Sequence, residues 1–260
     1  MSGRRQHSED RLAIPGRNAV TEALRARRRL REVVIDRRAG EELHRIADAA
    51  RSAGLAVRSA ERDVLDDLAE GVRHQGVVAL APPFPYRSLA ELSDSDLVVV
   101  LDGVTDPQNL GSIARSAELA GAGALVLPKR RSAHVGPAAE KAAAGAFSRL
   151  QVALVPNVVR ALEDLASRGL WSVGLAGDAR ATVWTCNLLG GPVALVVGAE
   201  GGGLSRLVAE RVDALASIPM LGQLDSLNAG VAAGIALFEV VRRRQPETSP
   251  DGPIVQAGGC

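Results

Sequence analysis

The 260-residue chain reads as an α/β protein in two parts: a small N-terminal module and a larger domain on a mostly parallel sheet. Three observations predict this. Short Val/Leu-rich runs such as "DLVVVLDG" and "GPVALVVG" alternate with helical stretches. Strands apolar on both faces belong to parallel sheets covered by helices on both sides. Apolar residues make up 47% of the chain but aromatics only 2%, so the core must be built from Ala, Val, Leu and Ile. Finally, "PPFPYRS" places three prolines in residues 82–85, which neither a helix interior nor a central strand tolerates.

The elements follow in order. Residues 1–11 are polar, charged and without periodicity, and are expected to be disordered. Residues 12–81 form the first module. In it "NAVTEALRA" is a helix, "LREVVID" a strand, and "AGEELHRIADAARSAG" an amphipathic helix closed by Gly54. "LAVRSA" (strand), "RDVLDDLAE" (helix) and "GVVALA" (strand) complete it. Residues 82–95 read as a linker. Residues 96–245 form the second domain, opening on the strand "DLVVVLDG". The helices "NLGSIARSAELAGA", "GPAAEKAAAGAF" and "NVVRALEDLASRG" alternate with the strands "ALVLP", "LQVALVP" and "LWSVGLA". After "GPVALVVG" come a helix "SRLVAERV", a strand "ALASIPM" and a last helix from about Ser226 to Arg243. Residues 246–260, rich in Pro, Gly and Ser, are expected to be disordered.

Composition excludes several classes. No apolar run approaches the ~18–20 residues of a membrane span, and the N-terminus lacks a secretory pattern. Two widely separated cysteines, Cys186 and Cys260, argue against a disulfide framework or a zinc site, and for a reducing compartment. The expectation is a cytoplasmic protein with no membrane association and no metal. Net charge is +1, but the first 80 residues carry +3 and the remainder −2. Arginines cluster at Arg25, Arg27, Arg28, Arg29 and Arg31. Such a cluster can contact phosphates or form a solvated surface.

Ligands of parallel α/β sheets sit beyond the carboxyl ends of the strands, so the strand-to-helix loops matter most. In "LDGVTDPQNLGSIARSAE", Asn109 is an N-cap candidate and Arg115 follows inside the helix. "LAGD" (175–178) follows a strand directly. "VALVVGAEGGGLSRL" has the look of a phosphate loop, yet its spacing is neither G-x-x-x-x-G-K-[ST] nor G-x-G-x-x-G. Glu200 within it would repel a phosphate and favour a cationic or hydrogen-bond-donating ligand. Asp225, Ser226 and Asn228 stand at the mouth of the last helix, where Ser226 and Asn228 can cap free N–H groups.

"NLGSIAR" (109–115), "VVGAEGGG" (196–203) and "IPMLGQLDSLNAGVAAGIALFE" (218–239) resemble, in order and spacing, the three motifs of the SpoU-type RNA ribose 2′-O-methyltransferases of the SPOUT superfamily. "IPGRNAVTEAL" and "VRHQGVVAL" look like the L30e-like RNA-binding domain of the bacterial large-subunit rRNA guanosine 2′-O-methyltransferases. "LDGVTDPQNLGSIARSA" and "PKRRSA" look closest to this subgroup. The resemblance implies a deep trefoil knot, S-adenosylmethionine as cofactor, 23S rRNA as substrate and a homodimer through the C-terminal domain. It assigns Leu175, Ala176, Gly177, Gly198, Ile218, Met220 and Leu227 to the cofactor. Asn109, Arg115, Glu200, Ser226 and Asn228 fall to catalysis, and Arg17, Arg25, Arg28 and Arg29 to RNA. In one departure, the motif Ser-Leu-Asn-Val-Ser here reads Ser-Leu-Asn-Ala-Gly, so Gly230 replaces a serine. Three alternatives stay open: a tRNA or other rRNA nucleotide as substrate, a nucleotide-binding protein of the Rossmann kind, and a non-catalytic RNA-binding protein.

Overall fold

The computed structural model describes residues 11–224 and 226–245. The two expected tails, apart from Arg11, and Asp225 lie outside the described residues. The first module comprises β1 (Leu12–Pro15), α1 (Arg17–Arg25), β2 (Glu32–Asp36), α2 (Glu41–Ser52), β3 (Ala56–Ala60), α3 (Arg62–Leu68) and β4 (Val77–Ala81). Its sheet runs β1-β4-β2-β3, with β2 and β3 parallel and the other two pairings antiparallel. Gly54 ends α2 at φ +77°, as its position after the periodic run predicts. Strand β1 is a feature that periodicity missed: four residues ending in proline carry no pattern, and only pairing with β4 makes them a strand.

The second domain contains β5 (Leu97–Asp102), α4 (Pro107–Leu119), β6 (Ala124–Pro128), α5 (Pro137–Ala143), β7 (Gln151–Val155) and α6 (Val158–Ser167). There follow β8 (Trp171–Leu175), β9 (Ala181–Thr182), β10 (Val193–Gly198), α7 (Arg206–Ala209), β11 (Ala214–Ser217) and α8 (Ala229–Arg244). Strand order is β7-β6-β5-β10-β8-β11-β9, and every pairing is parallel. Both faces are dry. Leu97, Val99 and Leu101 of β5 face the α4 and α8 side with Ile113 and Leu237. Val98 and Val100 face the α6 side with Leu162 and Leu165. The β5, β10, β8 and β11 strands are neighbours, so the loops at their carboxyl ends share one edge. Residues 218–228 then carry the chain back from β11 to lay α8 on α4. No helix among the described residues is long and apolar enough to cross a membrane.

The proline-rich segment does more than connect. Arg87 exchanges backbone hydrogen bonds with Val152 and Leu154 at the edge of β7. Phe84 and Tyr86 pack edge-on at 4.9 Å, and Phe84 meets Phe147 at 5.7 Å. The Tyr86 hydroxyl accepts a 2.7 Å hydrogen bond from the Val135 N–H. The expected linker is thus a docked strap, and one apolar cluster runs through both parts of the chain, from Ile14, Val20 and Val77 to Leu110 and Phe147.

Arg28 belongs to this seam. Its guanidinium lies 5.5 Å over the Phe84 ring and 2.8 Å from Glu140 of α5, whose carboxylate is fully buried. The contact is an ion pair: the Arg28 Nη1 and Nη2 atoms and the two Glu140 carboxylate oxygens have no hydrogen-bond partner among the described residues. Burial pushes the Glu140 carboxyl up, and Arg28 opposes that shift. Arg28 is therefore an interior residue, and its assignment to RNA is corrected here. Position in an arginine-rich run does not reveal which arginine faces inward.

At the far end of α8, Glu239 gathers Arg242 at 2.7 and 2.8 Å and Arg243 at 2.6 Å. Arg243 also donates to the carbonyls of Val183 and Trp184, and Arg244 to those of Asp96 and Gly191. The Arg242 hydrogen bonds, then those of Arg243, bring the Glu239 carboxyl down to about 2 against the opposing effect of burial. A depressed carboxylate stabilises the fold above its unfolded value of 4.5, and that contribution is lost as pH falls from there through about 2. Glu239→Gln is expected to melt about 5 °C below wild type at pH 7. The gap should close as the pH is lowered towards 2 in a calorimetric pH series.

Candidate active site

The four loops at the carboxyl edge of β5, β10, β8 and β11 open in different ways, for local reasons. The β5 loop passes Gly103 at φ +77° and enters α4 through Asp106, whose side chain accepts from the Gln108 N–H, with Pro107 in the first helical turn. Asp106, not Asn109, is the N-cap. The expectation for Asn109 missed by three residues because proline in the first turn already fixes the start. That frees the Asn109 side chain, which is only 4% exposed.

The β10 loop is a hairpin rather than a phosphate nest. Ala199 and Gly203 exchange both backbone hydrogen bonds at 2.9 Å, so these two N–H groups are spent within the loop. Gly198 permits the fold-back: a Cβ there would sit 2.2 Å from the carbonyl carbon of Gly203. The Asp102 carboxylate anchors the loop's exit by accepting the Ser205 N–H at 2.7 Å. Glu200 projects from the hairpin and accepts from the Asn109 amide at 3.0 Å. Asn109 accepts in turn from the Asn228 amide at 2.7 Å. The Asn228 carbonyl oxygen caps α8, accepting from Gly230 and Val231 N–H groups at 2.9 and 3.2 Å. One polar chain thus joins the β10 loop, α4 and the start of α8. The last helix begins at Ala229, and Asn228 alone caps it; Ser226 is exposed and makes no hydrogen bond among the described residues.

Gly230 has its own reason. A Cβ there would stand 2.1 Å from the Ser112 hydroxyl oxygen. Ser112 donates to the Asn109 carbonyl at 3.0 Å, so it is fixed in place. A serine at 230 does not fit beside it, which explains the departure noted in the motif.

The loops after β8, β10 and β11, with the start of α8, line a cavity of about 640 Å³. All seven residues expected at the cofactor line it: Leu175, Ala176, Gly177, Gly198, Ile218, Met220 and Leu227. Glu200 and Ser226 line it too, while Asn109 and Asn228 reach it through the hydrogen-bond chain. Arg115 is not drawn in. It is exposed on α4, about 9 Å along the axis from Asn109, with no hydrogen-bond or ionic partner among the described residues. Asp178 is a lining residue the sequence reading passed over, although it closes the "LAGD" turn. Among the described residues the cavity's charged lining is Asp178 and Glu200, with no lysine or arginine. That suits a cation and disfavours the pyrophosphate of a dinucleotide. S-Adenosylmethionine fits on these grounds: the volume is that of a small-molecule site, the walls are mostly apolar and glycine-rich, and the fixed charges among the described lining residues are negative. No histidine among the described residues contributes. His44 lies on α2, His74 is buried against Asp66, and His134 stacks edge-on against Tyr86.

Comparison with known proteins agrees with this geometry. The profile of the SpoU rRNA Methylase family matches residues 96–238, and that of the RNA 2′-O ribose methyltransferase substrate-binding domain matches residues 13–87. The chain is 41% identical to the 23S rRNA (guanosine-2′-O-)-methyltransferase RlmB of Escherichia coli K12 over 239 residues, covering 89% of this chain and 98% of that protein. It is 38% identical to a putative TrmH family tRNA/rRNA methyltransferase, YacO, of Bacillus subtilis, covering 90% and 96%. In structure it resembles the SpoU methyltransferase AviRb of Streptomyces viridochromogenes in complex with AdoMet, at TM-score 0.77 and 25% identity over 94% of each chain. A crystal structure described as an RNA 2′-O ribose methyltransferase gives 0.78 at 30% identity, covering 94% and 92%. The chain belongs to the SpoU rRNA methylase family of S-adenosylmethionine-dependent RNA ribose 2′-O-methyltransferases.

Proposed function

We propose that this protein methylates the ribose 2′-hydroxyl of a guanosine in 23S rRNA. The observation that carries the reading is the convergence of the β8, β10 and β11 loops on one cavity whose rim is wired by Glu200, Asn109 and Asn228. When bound, S-adenosylmethionine supplies a methyl group already activated by its sulfonium charge. Leu175, Ala176, Gly177, Gly198, Ile218, Met220 and Leu227 hold it, largely by backbone and apolar contact. The protein must then bring the 2′-oxygen to about 3–3.5 Å of the methyl carbon and help remove its proton. Glu200, kept in one orientation by Asn109, and Asn228 position groups at the rim, with Ser226 beside them. Arg115 faces solvent, where an RNA phosphate can reach it, and it stabilises the charge developing on the attacking oxygen. Its guanidinium, which offers five N–H donors and no acceptor, serves as a clamp rather than a base. Arg17, Arg25 and Arg29 on the first module contact RNA backbone. RNA rather than DNA follows from the chemistry, since only RNA carries the hydroxyl.

The proposal extends to assembly and topology. Val231 and Phe238 leave half of their surface exposed on α8, and Leu221 and Leu224 stand out of the 218–224 loop. A homodimer through this C-terminal face would cover them. The return of residues 218–228 over the sheet edge is where the chain would thread a trefoil knot. Action in the cytoplasm follows from the substrate. A tRNA substrate is the second reading, favoured by the words tRNA/rRNA in the description of the Bacillus relative.

Two experiments test the proposal. Purified protein should bind S-adenosylmethionine by calorimetry, and a deletion strain should lack one 2′-O-methyl mark when rRNA and tRNA are mapped together. A mark missing from tRNA only would select the second reading; no binding and no missing mark would reject both. Gly198→Ala should weaken cofactor binding by at least about tenfold, because the added methyl displaces the Gly203 carbonyl and opens the hairpin. Unchanged affinity would remove the hairpin from the site.

A further inference from the structure

A second concavity, of about 430 Å³, lies on the first module and away from the methyl-donor cavity. Arg17, Arg38, Arg62 and Arg73 line it. Two carboxylates are present, and both are engaged. Asp66 accepts from His74 Nε2 at 3.0 Å, a tautomer fixed because His74 Nδ1 accepts the Gly76 N–H. Asp36 accepts the Arg38 backbone N–H at 2.9 Å. Arg17 is held by Glu42 and by the Gln75 carbonyl. The guanidinium groups of Arg38, Arg62 and Arg73 are exposed and have no hydrogen-bond or ionic partner among the described residues.

The concavity abuts the methyltransferase domain. Lys141 of α5 reaches across the seam to the Gln75 side chain. Gln75 sits at φ +55°, a backbone conformation that costs a non-glycine residue energy and recurs at functional sites. Burial, then the positive charges of Arg73 and Arg17, lower the Lys141 ammonium. Even with Asp36 and Asp66 on its wall and Arg17 paired to Glu42, the concavity keeps an excess of positive charge, and an anion that enters among the guanidiniums offsets it. Planar guanidiniums with free donors match phosphate oxygens in particular.

We infer that the cleft of Arg17, Arg38, Arg62 and Arg73, closed at the seam by Lys141, grips phosphodiesters of the RNA strand. This rests on the methyltransferase reading above and moves the main RNA grip from the Arg25–Arg31 run to the opposite end of α1. Because α5 packs on α4, which carries Asn109, RNA held at the seam lies against the helix pair that supports the catalytic rim.

The test uses the full chain and in vitro transcribed 23S rRNA. Arg38→Ala/Arg62→Ala/Arg73→Ala is compared with wild type and with Arg45→Ala/Arg51→Ala/Arg58→Ala, which removes equal charge elsewhere on the module. The cleft variant should bind RNA roughly tenfold or more weakly, and its salt dependence should be shallower by about 2 in log–log slope, from about 0.7 per lost phosphate contact. Its melting temperature and S-adenosylmethionine affinity should match wild type, and the control should keep the wild-type slope. The single reversal Arg73→Glu should weaken RNA binding in the same direction. Wild-type affinity and slope in the cleft variant, or an equal loss in the control, would overturn the inference. Wild-type protein that takes up S-adenosylmethionine and methylates RNA while the cleft variant binds RNA normally would sink the cleft alone. Failure of the wild type to bind cofactor and methylate RNA would sink the function reading.

Discussion

Arg115→Ala is expected to lower kcat for methyl transfer by about 10²–10³-fold, the usual loss when one donor to developing transition-state charge is removed. S-Adenosylmethionine affinity should not change, because Arg115 does not line the cavity. Arg115→Lys should recover little: a lysine keeps the charge but loses the planar fork that binds phosphate in two places. Single-turnover kinetics at saturating RNA and cofactor make the measurement. An alanine variant that turns over at the wild-type rate would remove Arg115 from the chemistry. Handling of the 2′-hydroxyl proton would then be sought at Glu200, the carboxylate on the cavity wall that Asn109 and Asn228 hold in register.

The second large effect concerns the seam. Arg28→Met should cost about 3–5 kcal/mol of stability, since it leaves a buried carboxylate without its counter-charge. For a chain of this size that lowers Tm by about 10 °C or more. The pH dependence has a definite sign. A carboxyl whose folded pKa is raised is tolerated below its unfolded value of 4.5, and its cost appears as pH rises through the folded value. The deficit of Arg28→Met should therefore be smallest near pH 4.5 and grow towards pH 8. Adding Glu140→Leu should restore most of the stability, because an apolar pair replaces a desolvated ion pair at little net cost. A single variant within about 1 kcal/mol of wild type would show that Glu140 finds water or another partner.

Much of the second domain was legible in the sequence because its strands are buried on both faces. "DLVVVLDG" and "GPVALVVG" are continuous Val/Leu runs too short for ordinary helices, and the loop after the second lines the cavity together with those after β8 and β11. The motifs worked as well as they did because each lies where a strand must end. What escaped reading depends on pairing across the chain. Arg28 could not be separated from Arg27 and Arg29 without Glu140 and Phe84, which lie on other elements. Asn109 resembled an N-cap until the Asp106–Pro107 pair claimed the helix start, and only then could its amide be given to Glu200. The strap at 82–88 was legible as a break but not as a docked segment, since prolines state what the backbone avoids and not what Phe84 and Tyr86 touch. Strands β1 and β9 are too short to show any period.

The contact between Gly230 and Ser112 has a consequence for how this chain can drift. Room for one hydroxymethyl group exists between the two helices, and Ser112 already occupies it. A lineage can move that group to the other helix only by emptying position 112 at the same time, so the two sites should change together, trading bulk, while the rest of the motif stays as it is.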